Sequence, residues 1–201
     1  IWNKTENKEL FLNIELIDSA IEQKVQVNFT YNKIGIDKKL HASSRQTVTP
    51  YQLILNNQRY YLMGRNEQWG DMVFYRLDHI TGMELSAAPA TPVSSIPGYA
   101  KGIDYKKLSS TLPYMYSDAP QSITMLADVD VVDQIVDWFG RDIKIRKDSA
   151  IPEKVTVTVN ASPTAMEHWA MQYINHVEIT SPAALRTKIR EGLEKGMKKY
   201  K

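Results

Sequence analysis

The stretch RYYLMGRNEQWGDMVFYRLDHI, residues 59 to 80, sets arginines and tyrosines into runs whose apolar residues read as β-strands. Guanidinium forks grip phosphate bidentately, and aromatic rings offer faces on which bases stack. Side chains alternate along a strand, so Arg59, Tyr61, Met63 and, if the strand persists, Arg65 share one face, while Tyr60 and Leu62 share the other. Arg76 and Asp78 share a face of the following strand, and His79 falls on the opposite one unless a bulge re-aims it. Arg45, near the start of an earlier strand, is a further anion candidate. The candidate ligand-binding residues are therefore Arg45, Arg59, Tyr61, Arg65, Arg76 and His79. His41 precedes a SSRQT segment expected to be loop. Between Lys24 and His79 stand eight Lys/Arg against four Asp/Glu, so this region is more basic than a chain whose net charge is only +2. Ordinary cross-strand pairing, at about 0.2–1 kcal/mol per pair, also places arginine and tyrosine on exposed strand faces.

Other chemistries find little footing in the sequence. The histidines at 41, 79, 168 and 176 have no metal-ligand spacing, and neither a Gly-rich phosphate loop nor a nucleophile elbow is present. No catalytic residue, metal or cofactor is expected. The absence of cysteine removes disulfides and thiolate chemistry and suits a cytoplasmic protein. No apolar run is long enough to span a bilayer. The amino end, IWNKTENKEL, is neither a signal peptide nor a start methionine, which reads as a chain excised from something longer.

The elements that must position these residues follow from periodicity. Leu10, Ile14, Ile17 and Ile21 recur at helical spacing and predict a helix ending near Lys24. VQVNFTYN alternates as a strand, followed by strands over 47–55, 59–63 and 72–77, the last running on to Leu85, with turns at Asn56-Asn57 and NEQWGD. Short successive strands after one helix favour a small antiparallel barrel. From Ser86 to Pro120 five prolines mark a linker. Beyond it, ITMLAD is a strand, Val131, Val132, Ile135, Val136 and Phe139 form a helical stripe stopped by Gly140, and IKIRK and KVTVTV are strands. Ser162-Pro163 and Ser181-Pro182 each read as an N-cap followed by proline at the first helical position. The order β-α-β-β-α-β with a final helix is the ferredoxin-like arrangement. The expected fold class is thus α+β, divided into a leading helix at 1–24, a barrel at 25–88, a linker at 89–120 and a ferredoxin-like domain at 121–201.

These residues carry a family resemblance. Pro50 with Leu53, the triplet Tyr60-Tyr61-Leu62 and the run Tyr75-Arg76-Leu77-Asp78-His79-Ile80 resemble the core of the WYL domain. Trp138-Phe139-Gly140 and the Ser181 to Arg186 helix start are similar to the WCX extension that often follows it. The resemblance implies a ligand-sensing module of bacterial transcription regulators, with an Sm-like or SH3-like five-stranded barrel that binds nucleic acid or a nucleotide-type anion. It also implies a homodimer whose duplex-DNA contacts come from an amino-terminal helix-turn-helix domain that this sequence lacks. The chain departs from the family at Tyr60, where Trp is frequent, and at Val73 and His79, where a basic residue is frequent. The alternative expectation is a module that handles single-stranded nucleic acid directly.

Overall fold

The helical stripe of Leu10, Ile14, Ile17 and Ile21 becomes helix α1, Leu10–Gln23, in the computed structural model, which describes residues 7–56, 58–104, 114–116, 118–147 and 151–201. The helix stops at Lys24, which takes a left-handed φ of 54° and returns its N–H to the last turn. Ile17 and Ala20 are fully buried against the sheet that follows.

That sheet comprises β1 (Val25–Ile34), β2 (Leu40–Asn56), β3 (Arg59–Asn66), β4 (Met72–Arg76) and β5 (Ile80–Pro89). Its order is β4-β3-β2-β1-β5, and every neighbouring pair is antiparallel. The pairing stops at β4 and β5, so the described sheet has two edges. The alternating Val27 and Phe29 meet Val48, Leu62, Tyr75, Leu77 and Ile80 in one core beneath α1.

Three local expectations change. The run from Met72 to Leu85 is two strands, because Leu77–His79 form a 3-10 turn that sends β5 back to pair with β1. The segment around His41 is strand, since Leu40, His41 and Ala42 pair with Ile34, Lys33 and Asn32. The expected turn at Asn56-Asn57 moves on, since Asn56 still pairs with Arg59 in the β2–β3 ladder and Gln58 takes φ 61°; Asn57 lies outside the described residues.

Contacts divide the chain into two units, Ile1–Ile103 and Asp104–Lys201. The residues just after β5 are tied to the first unit: the Thr91 N–H donates to Thr49 Oγ1 at 3.1 Å, and Tyr51 Oη donates to the Thr91 carbonyl at 2.8 Å. Ile96 is only 3% exposed, so this proline-rich stretch buries an apolar anchor.

The second unit contains β6 (Gln121–Asp128), α2 (Val132–Phe139), β7 (Lys144–Lys147), β8 (Lys154–Ala161), α3 (Pro163–Gln172), β9 (Val177–Ser181) and α4 (Ala183–Lys199). Its antiparallel sheet runs β7-β8-β6-β9, the order in which two split β-α-β units interleave in the ferredoxin-like arrangement. Trp169, Met166, Ile135 and Phe139 pack on Ile123, Met125 and Val157 to form its core. Ser162 caps α3 as expected, its Oγ accepting from the Ala165 N–H at 3.0 Å with Pro163 in the first turn. Ser181 does not cap α4: it stays in the β9 ladder opposite Thr124, and the helix starts after Pro182.

Candidate functional site

The end of β3 nearest the hairpin and the turn after β4 bring four of the six candidates together. Tyr61 lies directly opposite Arg76 across the β3–β4 ladder. Arg76 then forks onto Asp78, Nε to Oδ1 at 3.0 Å and Nη2 to Oδ2 at 2.6 Å. Burial disfavours the Arg76 charge, yet this fork more than offsets it and holds the guanidinium above the ordinary arginine value. The 3-10 turn breaks the two-residue alternation, so His79 is not sent to the face opposite Arg76; its imidazole lies within the field of both Arg76 and Arg59.

The turn is held from two sides. From α1 and the residues before it, Asn13 Nδ2 donates to the Ile80 carbonyl at 2.9 Å, and Asn7 Nδ2 donates to the same oxygen at 2.7 Å. From β1, a register shift between Tyr31 and Asn32 turns the Asn32 amide inward, where it donates to the His79 carbonyl at 2.8 Å and to Thr81 Oγ1 at 2.9 Å. The Asn32 carbonyl accepts from His79 Nδ1 at 3.0 Å. A carbonyl only accepts, so Nδ1 carries the proton and Nε2 a lone pair. Nε2 is buried without a partner among the described residues. Burial first, and then the Arg76 charge, push the imidazole below its ordinary value. Tyr31 flanks the ring at 5.7 Å between centroids and meets Tyr75 edge-on at 5.0 Å. Burial raises the Tyr31 hydroxyl above the usual tyrosine value.

Arg59 is half-buried at the start of β3, and among the described residues no carboxylate pairs with it. The other three candidate arginines are engaged. Arg76 has Asp78. Arg45 reaches across the sheet to Glu84 on β5, both side chains more than half exposed. Arg65 is bound by Glu67, which also accepts from Thr49 Oγ1 at 2.5 Å and Thr91 Oγ1 at 3.1 Å. Six residues of extended chain separate Arg59 from Arg65, about 20 Å, so the shared face does not make a shared site. The face is also interrupted, since Met63 between them is fully buried. Burial and the Glu67 charge push the nearby Tyr51 hydroxyl up to about 12.

Tyr31 and Asn32 were not singled out from sequence as site residues. Tyr31 continues the core alternation of Val25, Val27 and Phe29, and nothing in the sequence marks the register shift that follows it. The arrangement offers a guanidinium with no carboxylate partner among the described residues, a second held by Asp78, and the rings of two tyrosines and of His79, which suits an anion attached to a flat ring.

Two family models match the chain. The WYL domain matches residues 13–85, and the WCX domain matches residues 119–197. The chain carries a WYL domain followed by a WCX domain. Among solved structures it is similar to proteasome accessory factor B/C of Arthrobacter aurescens, at 13% identity and a TM-score of 0.41, covering 100% of this chain and 29% of that one. It is also similar to a CRISPR Cas-related protein, at 14% identity and a TM-score of 0.55, covering 95% of this chain and 52% of that one. The WYL–WCX chain thus spans about half or less of the length of these structures, and the second likeness concerns fold alone. No curated protein matches its sequence. Among the described residues no group of His, Asp or Glu is arranged to hold a metal, and no helix is long and apolar enough to cross a membrane.

Proposed function

We propose that the WYL unit binds a nucleotide-type anion or a short single-stranded nucleic acid, with Arg59 and Arg76 holding the phosphate and the Tyr61 and His79 rings flanking the base, and that the chain is the effector-sensing part of a transcription regulator. The observation that carries this reading is the gathering of Arg59, Arg76, Tyr61, Tyr31 and His79 around one turn, with Arg59 unmatched by a carboxylate among the described residues. A phosphate reaching Arg59 displaces no protein partner, and one reaching Arg76 competes with Asp78. The WYL–WCX pairing supports the regulator reading, with binding rather than turnover as the unit's task. Two-fold DNA sites favour two-fold proteins, which is the reason to place the working form as a homodimer that reaches duplex DNA through a further domain.

The test is a panel of short single-stranded DNA and RNA, cyclic and linear nucleotides and duplex DNA, titrated against the chain at several salt concentrations. Binding of a single-stranded or nucleotide ligand that weakens as salt rises supports the reading. Equal affinity for duplex of any sequence, or binding indifferent to salt, contradicts it.

A further inference from the structure

The WCX unit has a groove of its own, about 390 Å³ in volume, between the end of α3, strand β9 and helix α4. Its floor is core: Val177, Ile179 and Ile189 are each less than a tenth exposed. Ile174 and Leu193 form partly buried walls. At the mouth stand Glu178, Arg186, Thr187 and Arg190.

The charges at this mouth are unequal in availability. Arg186 is spent, with Nη2 on Glu178 Oε1 at 2.6 Å and Nη1 donating to the Ile179 carbonyl at 3.1 Å. Arg190, one turn further along α4, has among the described residues only Glu194 at 3.8 Å, with both side chains more than half exposed. Such an exposed pair holds a guanidinium only weakly. The groove therefore presents an apolar floor and one loosely held positive charge, with the Thr187 hydroxyl beside it.

We propose that this groove binds a small amphipathic monoanion, an aryl or short acyl carboxylate, with the apolar body on Val177, Ile179 and Ile189 and the carboxylate on Arg190. The volume lies at the small end of ligand pockets. A nucleic-acid strand would need a row of cations, and the groove offers one. A strand from a second copy is disfavoured because Arg186 occupies the Ile179 carbonyl on edge strand β9, where strand addition would need a free acceptor. The site is separate from the WYL cluster, and its occupant differs in kind.

The test uses the full chain with 2-naphthoate and its uncharged counterpart 2-naphthamide, followed through the methyl resonances of Ile174, Ile179 and Ile189. Naphthoate should shift these methyls, and naphthamide should bind about tenfold more weakly, the worth of one charge-assisted contact. Arg190→Gln, at an exposed position, should bring the two probes to nearly equal affinity with no change in thermal midpoint. Leu193→Trp, which fills the groove, should abolish both. Equal binding of the two probes, an unaltered preference in Arg190→Gln, or no shift at these methyls in a folded chain would overturn the proposal. So would naphthoate affinity that falls with rising protein concentration as the mass doubles, because a second copy would then cover the groove.

Discussion

His79 concentrates the chemistry of the WYL unit in one ring. Its Nδ1 is committed to Asn32, and burial and the Arg76 and Arg59 charges oppose a second proton, while Asp78 favours one. The folded chain therefore binds this proton less readily than the unfolded chain does. Stability from His79 is complete above the ordinary histidine value of about 6.5 and falls as pH drops below it. Thermal midpoints measured from about pH 7.5 to about pH 5 should decline, and His79→Asn should flatten that decline. An identical decline in the variant would show that other groups govern it. The ring's place was not legible from its spacing: alternation sent it away from Arg76, and only the 3-10 turn, clamped by Asn7, Asn13 and Asn32, reverses that. Nor could spacing reveal that Arg45 would meet Glu84, 39 residues away, or that Arg65 would be held by Glu67.

Periodicity was a better guide to the elements. The stripe of α1 and the alternation of β1 and β8 appear as buried faces in the structure, because burial of one face is what selects a regular period. The first half of β2 is not legible from periodicity for the complementary reason. HASSR is exposed on both faces, so its strand is dictated by pairing with β1 and not by any core. Leu62 lies on the inward face of β3 and is fully buried between α1, β1 and β4 residues. Leu62→Ala should lower stability by roughly 2–5 kcal/mol in denaturant unfolding, whereas Tyr60→Ala, at the exposed end of the same strand, should change it by less than about 1 kcal/mol. Comparable losses in both would mean that the inward face of β3 is wrongly assigned.

At the scale of the whole molecule, two antiparallel sheets with separate cores carry separate surfaces, one basic and aromatic, the other an apolar groove with a single available cation. A homodimer is expected for the working form, and light scattering across a wide concentration range should show a mass rising from one chain to two; a single-chain mass throughout would remove the dimer from the account. The proposed anion site comprises Arg59, Tyr61, Arg76 and His79. Its most direct test is fluorescence anisotropy of a labelled single-stranded oligonucleotide, titrated with the unaltered chain, Arg59→Ala and Arg65→Ala at several salt concentrations. Arg59→Ala should weaken binding and reduce the salt slope by ~0.7, the share of one phosphate contact, while Arg65→Ala should leave both nearly unchanged because Glu67 already holds that guanidinium. Loss of binding in Arg65→Ala with Arg59→Ala unaffected would contradict it.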